Sequence, residues 1–478
     1  MNVTAISKLY ADVTGAIPAV VNELPSSGSN RRYFRLSDEK GEKSLIGVLG
    51  TSIEENRAFI YMARHFAQKG VNVPEVLAVS TDGLAYVQSD LGDTLLFNEI
   101  EKGRVTRSFS AYEKELLVKT IRSLSDIQFA GAEDMDFSVC YPTPAFDRRS
   151  IMWDLNYFKY CFLKATGVEF QENTLENDFE RLAYILLQKR TNTFMYRDFQ
   201  SRNVMINNGQ PYFIDFQGGR KGPYYYDVAS FLWQAKAHFN PELRQELIKI
   251  YLNQLEKYIS IDRDDFYETL RHFILFRTLQ VLGAYGFRGY FEKKPHFLQS
   301  IPIAIENLRQ LLTEGSEDYP YLLDVLHQMT ELKQFKEVSV RKPLVVRVYS
   351  FSYKKGIPQD DSGNGGGFVF DCRAVNNPGK YERYTFFTGL DEPVIKFLEE
   401  DGEILSFLDN AYSLVDASVK RYIDRGFRNL MVSFGCTGGQ HRSVYAAQKM
   451  AEHINQKYGV EVQLIHREQN IETIMQAK

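Results

Sequence analysis

Four short runs near the N-terminus, Tyr33–Leu36, Leu45–Leu49, Val76–Val79 and Leu84–Gln88, have the β-branched and aromatic content of strands. Between the second and third, Glu54–Lys69 sets Phe59, Met62, Ala63 and Phe66 on one helical face and stops at Gly70, a usual helix terminator. From about Asp227 to Leu332 the apolar positions recur at helical spacing, as in Asp227–Trp233 and Phe273–Leu279. The polar stretch Lys333–Glu337 and the breaker Pro343 end that pattern, and Leu344–Tyr349 opens a new unit as a strand. The pattern predicts an α+β bilobal unit over 1–332, with a small lobe to about 92 and a helical lobe from 93. A linker over 333–342 and a separate α/β domain over 343–478 follow. The cleft between two such lobes is where a ligand is expected.

Candidate chemistry enters at Tyr196-Arg197-Asp198-Phe199-Gln200-Ser201-Arg202-Asn203, which leads through Val204–Ile206 to Asn208-Gly209 and on to Tyr212–Phe216. Asn-Gly between two β-favouring runs predicts a hairpin, because both residues tolerate positive φ. Folding back there brings Asn203 and Asp215 to one point beside Asp198. A carboxylate to orient and deprotonate a hydroxyl, with two hard oxygen ligands for magnesium, is the set that phosphoryl transfer needs.

With these motifs, residues 1 to about 330 resemble the aminoglycoside phosphotransferase/choline kinase branch of the protein-kinase-like fold. The resemblance implies Asp198 as catalytic residue, Asn203 and Asp215 as magnesium ligands, Asp227 as a structural brace of the catalytic loop, and ATP as phosphate donor. Gly70–Leu77 and Val87–Asp93 resemble the strands and hinge that meet the adenine, which makes Gln88 and Leu91 nucleotide contacts. The strand Leu45–Leu49 lacks the usual phosphate-holding lysine, and Ser26–Asn30 is a poor copy of a glycine-rich phosphate lid. Ser27–Leu36 is similar to the anomeric N-acetylmuramate/N-acetylglucosamine kinases, a subgroup that also lacks that lysine. Arg31 and Arg32 are the candidate phosphate grips, since guanidinium forks suit phosphate oxygens. The helix Arg148–Phe158 resembles that subgroup's acceptor-side helix and offers Asp154 and Asn156 as sugar contacts.

The second unit carries the string Gly435-Cys436-Thr437-Gly438-Gly439-Gln440-His441-Arg442-Ser443 between the strand Leu430–Phe434 and the helix Val444–Lys457. Strand, glycine loop and helix N-terminus make an anion cradle, to which His441 and Arg442 add cationic donors. Cys436 and Arg442 also satisfy the Cys-x5-Arg spacing of thiolate phosphatases, with Asp371 and Asp391 as conceivable acids. His466 follows the strand Val460–Ile465, either reaching this pocket or serving as a structural histidine. Residues 343–478 resemble the C-terminal domain of RapZ-type RNase adapters through Ser350–Pro358, Phe368–Arg373, Asn376–Pro378, Thr388–Asp391 and the whole Gly435–Tyr445 loop. That resemblance implies binding of a phosphosugar, with Arg373 beside the cradle, together with oligomer formation and contact with a small RNA. From Pro343 to Lys478 there are 16 basic and 17 acidic residues, and RNA binding usually leaves a basic surplus. The glycine-rich run Ser362–Gly367 reads as a flexible loop.

Composition narrows the class. With 44% hydrophobic and 25% charged residues, disorder throughout is excluded. The absence of a long apolar run or a signal-peptide pattern predicts neither membrane spanning nor secretion, and four scattered cysteines fit a cytoplasmic protein. The expected function is an ATP- and magnesium-dependent kinase of a small-molecule hydroxyl, foremost an amino sugar at its anomeric carbon. A C-terminal phosphosugar-sensing or homo-oligomerising domain completes it. The alternatives are a kinase of choline, homoserine or aminoglycosides, and a non-catalytic RNA-binding adapter.

Overall fold

The computed structural model describes residues 3–477 apart from 26–30, 190–191, 314, 337–343, 361, 363–364 and 426. Three expectations fall wholly or partly outside the described residues: the segment 26–30, the linker over 333–342 and the glycine-rich run 362–367. The chain divides into two compact units, Met1–Lys336 and Glu337–Lys478.

In the first unit, helix α1 (Thr4–Thr14) precedes strands β1 (Val20–Glu23), β2 (Arg32–Ser37) and β3 (Leu45–Leu49). Helix α2 (Ile53–Gln68) and strands β4 (Val76–Val79) and β5 (Ala85–Ser89) complete an antiparallel sheet of order β1-β2-β3-β5-β4. Ser52 caps α2 by accepting the N–H of Glu55, and the face carrying Phe59, Met62, Ala63 and Phe66 is buried. Ile6, Leu9 and Tyr10 of α1 join Phe34, Leu36, Leu49 and Val87 in a second cluster, so alternate sheet residues are buried under different helices.

The helical lobe is built from α3 (Ala111–Gln128), α4 (Arg148–Phe158), α5 (Glu172–Gln188), α6 (Tyr225–Leu232), α7 (Pro241–Leu255) and α8 (Arg263–Gly286), with further helices before, between and after them. Four short strands interrupt it: β6 (Thr193–Met195), β7 (Val204–Asn207), β8 (Gln210–Phe213) and β9 (Arg220–Gly222). β7 and β8 form the expected hairpin, with Asn208 at φ +50° and Gly209 at +71°, the mirror-image turn whose twist matches the strands. α8 lies against α4 with almost no gap. A Cβ on Gly283 would stand 2.8 Å from the Phe158 nitrogen, and one on Gly286 would strike the Cys161 carbonyl. These glycines let two helices bearing site residues pack side by side.

The second unit has β10 (Val345–Ser352), β11 (Phe368–Asp371), β12 (Asn429–Cys436), β13 (Glu461–His466) and β14 (Ile471–Met475), in the order β11-β12-β10-β13-β14. All neighbours are parallel except β13 and β14. β12 is buried along nearly its whole length, as a parallel strand covered on both faces must be. Its covering helices include α9 (Glu403–Arg425) and α10 (Arg442–Tyr458), the latter burying Ala447, Met450, Ala451 and Ile454.

Gly286→Ala is expected to lower the unfolding free energy by about 1–3 kcal/mol, because backbone rather than a flexible side chain must yield. Urea denaturation checks this, and an unchanged midpoint would refute the tight crossing.

Candidate active site and anion cradle

β6 delivers the chain into Tyr196–Asn203, and the hairpin returns it to Asp215. One carboxylate holds this loop by its backbone. Asp227, fully buried, accepts the N–H groups of Tyr196 and Arg197, each at 2.8 Å, and the Nε2 of Gln128 at 3.1 Å. It is the third residue of α6 and not its N-cap, and its oxygens face the loop. Arg197 stands at φ +76°, a costly conformation for a non-glycine residue, and its bond to Asp227 helps to hold it there. Burial nevertheless pushes the Asp227 carboxyl up to about 7, against the pull of those N–H donors.

Asp198 is half-exposed, and its Oδ1 accepts from the Nη2 of Arg277 at 3.2 Å. Asn203 donates its Nδ2 to the Asp198 carbonyl at 2.8 Å, which leaves its amide oxygen as the atom available to a cation. Asp215, at φ +66°, opens to the cleft and accepts the Nε2 of Gln217 at 2.7 Å. Surrounding protein raises its pKa to about 6; Gln217 and the charge of Arg31 oppose that rise and the charge of Asp198 adds to it. Among the described residues no group of three or more His, Cys, Asp or Glu side chains forms a metal cage. An amide oxygen and a carboxylate fit magnesium, which keeps waters and takes its remaining ligands from nucleotide phosphate.

Asp154 reaches this loop from α4, pairing with Arg197 at 3.3 Å. The charges acting on it include Arg197, Arg277, Arg220 and Asp198. Three guanidinium groups and a second carboxylate therefore act on Asp154 beside the Tyr196–Asn203 loop. Asn156 lies two residues on, more than half a turn round α4, and takes no part in that pairing.

Across the cleft, a cavity of about 360 Å³ is lined by Tyr33, Ile46, Gln88, Leu91, Asn203 and Asp215 among others. Arg35 fastens the segment after β5, donating to Asp90 at 2.7 and 3.1 Å and to Asp93 at 3.0 Å, while Ser44 donates to Asp90 at 2.5 Å. Burial pushes the Asp90 carboxyl up, but Arg35 and Ser44 outweigh it and hold the group below its usual range. Arg31 and Arg32 part company. Arg31 is 1% exposed, lies 5.5 Å over the Phe59 ring and pairs with Glu55 of α2 at 3.4 Å. It comes two residues before Tyr33, which lies opposite Val48 of lysine-less β3. Arg32 is exposed and bonded twice to Glu23 of β1 at 2.8 Å, so its guanidinium is committed outside the cleft.

In the second unit the loop after β12 wraps its own thiol. Cys436 Sγ accepts the Gly439 N–H at 3.2 Å and lies 3.1 Å from the Ser443 hydroxyl. Gly439 is at φ +69°, and a Cβ there would collide with Glu468 and Ser352. Gln440 donates to the carbonyls of Thr385 and Phe387, and His441 Nε2 lies 3.1 Å from the Tyr384 carbonyl. Arg442 donates through Nη1 to the Arg373 and Val375 carbonyls at 2.9 and 2.7 Å, while its Nε is buried with no partner among the described residues. His441 and Arg442, expected as free cationic donors, thus anchor the loop. Thr437 and Gly438 are exposed, and the main-chain N–H groups that open α10 precede its own hydrogen-bond ladder. Arg373 stacks 4.1 Å over Tyr353 and is clamped by Asp371 at 2.7 Å, which ties up one of the two candidate acids. Asp391 is engaged by Thr388, whose N–H and hydroxyl donate to it.

Residues 20–260 match the model of the phosphotransferase enzyme family. The chain belongs to the phosphotransferase enzyme family. Residues 344–470 match the RapZ C-terminal domain. A nucleotide-binding protein of Thermosipho africanus is 34% identical over 175 residues, 36% of this chain and 60% of that protein. One of Staphylococcus epidermidis is 34% identical over 185 residues, covering 37% and 58%. The chain thus spans about three-fifths of the length of these relatives. Among solved structures, an amicoumacin kinase in complex with AMP-PNP, Ca2+ and Ami aligns with a TM-score of 0.46 at 14% identity, over 65% of this chain and 92% of that one. Choline kinase from Cryptosporidium parvum gives 0.44 at 11%, over 64% and 93%. Among the described residues, no helix is long and apolar enough to cross a membrane.

Motif reading of the sequence does not find Arg277, the Arg35 clamp or Glu468, which is buried beneath the cradle and accepts from Ser352 and Lys355. Arg277 had a signal: it is the single charged residue in the apolar run Phe273–Leu279, and a charge in such a run needs a partner. His466 is a core histidine, 1% exposed, with Nδ1 2.9 Å from Ser350 Oγ and Nε2 3.3 Å from Gln448 Oε1. Burial lowers its pKa to about 4. Its folded pKa lies below the unfolded value near 6.5, so its contribution is complete above about pH 6.5 and is lost as pH falls toward 4. The wild-type protein is expected to lose about 2–3 kcal/mol across that window relative to His466→Gln. Parallel denaturation curves at pH 7 and pH 4.5 check this, and equal pH dependence in both proteins would sink it.

Proposed function

We propose that the first unit transfers the γ-phosphoryl group of Mg-ATP to the hydroxyl of a small molecule, foremost an amino sugar at its anomeric carbon. The observation that carries this reading is the convergence of Asp198, Asn203 and Asp215 at the mouth of one cleft, in a chain of the phosphotransferase family. Asp198 orients the acceptor hydroxyl and receives its proton as the new P–O bond forms. The Asn203 amide oxygen and the Asp215 carboxylate would hold magnesium, whose charge, when bound, offsets that of the β- and γ-phosphates. Gln88, Leu91 and the hinge fastened by Arg35 take the nucleoside. The guanidinium of Arg31, paired with Glu55 near Asp215, supplies the fixed positive charge that β3 lacks.

The acceptor side supports a neutral or anionic sugar over choline or an aminoglycoside. Arg197, Arg220 and Arg277 lie behind this side with Asp154 and Asp198, and their surplus positive charge disfavours a cationic acceptor. The amino sugar itself is supported by the resemblance of Ser27–Leu36 and Arg148–Phe158 to the anomeric sugar kinases.

For the second unit, the proposed ligand is a hexosamine phosphate. The support is the strand–loop–helix cradle, its exposed Thr437–Gly438 backbone and the buried, unpartnered Nε of Arg442. In one chain, the two sites fit a kinase that senses a phosphorylated sugar.

ADP release from Mg-ATP should appear with an N-acetylated amino sugar, which carries no ammonium, in a panel that also holds choline, homoserine and aminoglycosides. Asp198→Asn should reduce it by roughly 10²–10⁴-fold. Asparagine is the better probe than alanine, because it keeps an acceptor oxygen for buried Arg277. Full turnover by the variant, or turnover only with cationic acceptors, would reject the assignment. Glucosamine 6-phosphate should also bind, by calorimetry, and change the kinase rate; a flat rate through saturation would separate the two units' functions.

A further inference from the structure

Arg277 has no role in the motifs of a phosphoryl-transfer site, yet it is a buried guanidinium in contact with the proposed catalytic carboxylate. It projects from α8 and is 5% exposed, too enclosed to bind an acceptor itself. Its Nη2 reaches Asp198 Oδ1 at 3.2 Å, its Nε donates to Ser230 Oγ at 3.1 Å, and its Nη1 donates to Gln280 Oε1. The plane of the group lies 5.6 Å over the Tyr226 ring. Ser230 in turn donates to the Arg197 carbonyl at 3.4 Å. Tyr196–Asp198 is therefore held at three kinds of atom. Asp227 takes its N–H groups, Ser230 its carbonyl, and Arg277 its side chain.

We infer that Arg277 is the positioning residue of Asp198. Bonding to Oδ1 fixes the rotamer of a half-exposed side chain that would otherwise turn freely in solvent, and leaves Oδ2 for the acceptor hydroxyl. Serine, glutamine and tyrosine on the remaining sides keep the guanidinium itself from moving, and its planar fork makes lysine a poor replacement. This role rests on the phosphotransferase reading of Asp198.

The test compares kcat and KM of the full chain in wild type, Arg277→Gln, Arg277→Ala and Ser230→Ala, with thermal unfolding beside each. Loss of a positioned carboxylate is expected to lower kcat by about 10- to 100-fold in Arg277→Gln while KM for ATP stays unchanged. Millimolar guanidinium chloride should restore part of kcat to Arg277→Ala and none to Asp198→Asn, a response that a purely structural arginine would not give. If neither Arg277 variant folds, Ser230→Ala, which keeps the charge and loosens its seat, should show a smaller drop confined to kcat. Folded Arg277→Gln with wild-type kcat, a loss confined to KM, or absence of rescue in Arg277→Ala would each overturn the role. Wild type without any turnover would instead overturn the functional reading, and this inference with it.

Discussion

A single buried carboxylate, that of Asp227, is the constraint on which the first unit's chemistry rests. Two main-chain N–H groups in succession point into the lobe at Tyr196 and Arg197, with no strand or helix to receive them. A buried N–H without an acceptor costs about 1–3 kcal/mol, so their partner fixes the backbone path. Once that path is set, Arg197 adopts its left-handed conformation, Asp198 turns toward the cleft and Asn203 follows within reach of its carbonyl. α3 takes part as well, since Gln128 donates to the same carboxylate and accepts from the Tyr251 hydroxyl. The loop is thus tied into the helical core at a point 0% exposed.

Charge in this region is balanced locally. Arg197 pairs with Asp154 and Arg277 with Asp198, each bridging different elements. Arg220, which has no carboxylate within bonding distance among the described residues, donates instead to Thr143 and the Gly218 carbonyl, and burial and the nearby charge of Arg197 depress its pKa to about 10. Desolvation makes each of these ions expensive alone, and their partners are what makes the cluster tolerable. The glycines of α8 belong to the same design. By admitting α4 to backbone contact they bring Asp154 and Arg277 to one loop.

What was legible in the sequence was local. The Asn208-Gly209 turn, the buried run of β12 and the glycines after it carry their conformations in their own residue types, and the hairpin brings Asn203 and Asp215 together without help from elsewhere. What was not legible depends on partners far apart in the chain. Arg35 finds Asp90 and Asp93, and Arg277 finds Asp198, only after the lobes have folded. The residue types of His441 and Arg442 suggest ligand binding. Their commitment to carbonyls of Tyr384, Arg373 and Val375 was decided by packing that no spacing encodes. Arg31 and Arg32, adjacent in the chain, have opposite fates because successive residues at a strand point to opposite faces.

The inward turn of the cradle's side chains has a consequence for how it would recognise an anion. With Gln440, His441 and most of Arg442 committed to the protein, the surface offered by the loop is chiefly main-chain amide. Amides do not titrate, and neither does a guanidinium in the physiological range. A phosphate monoester held by these amides would bring its own titration to the grip, its second ionisation near pH 6, to which the amides add nothing.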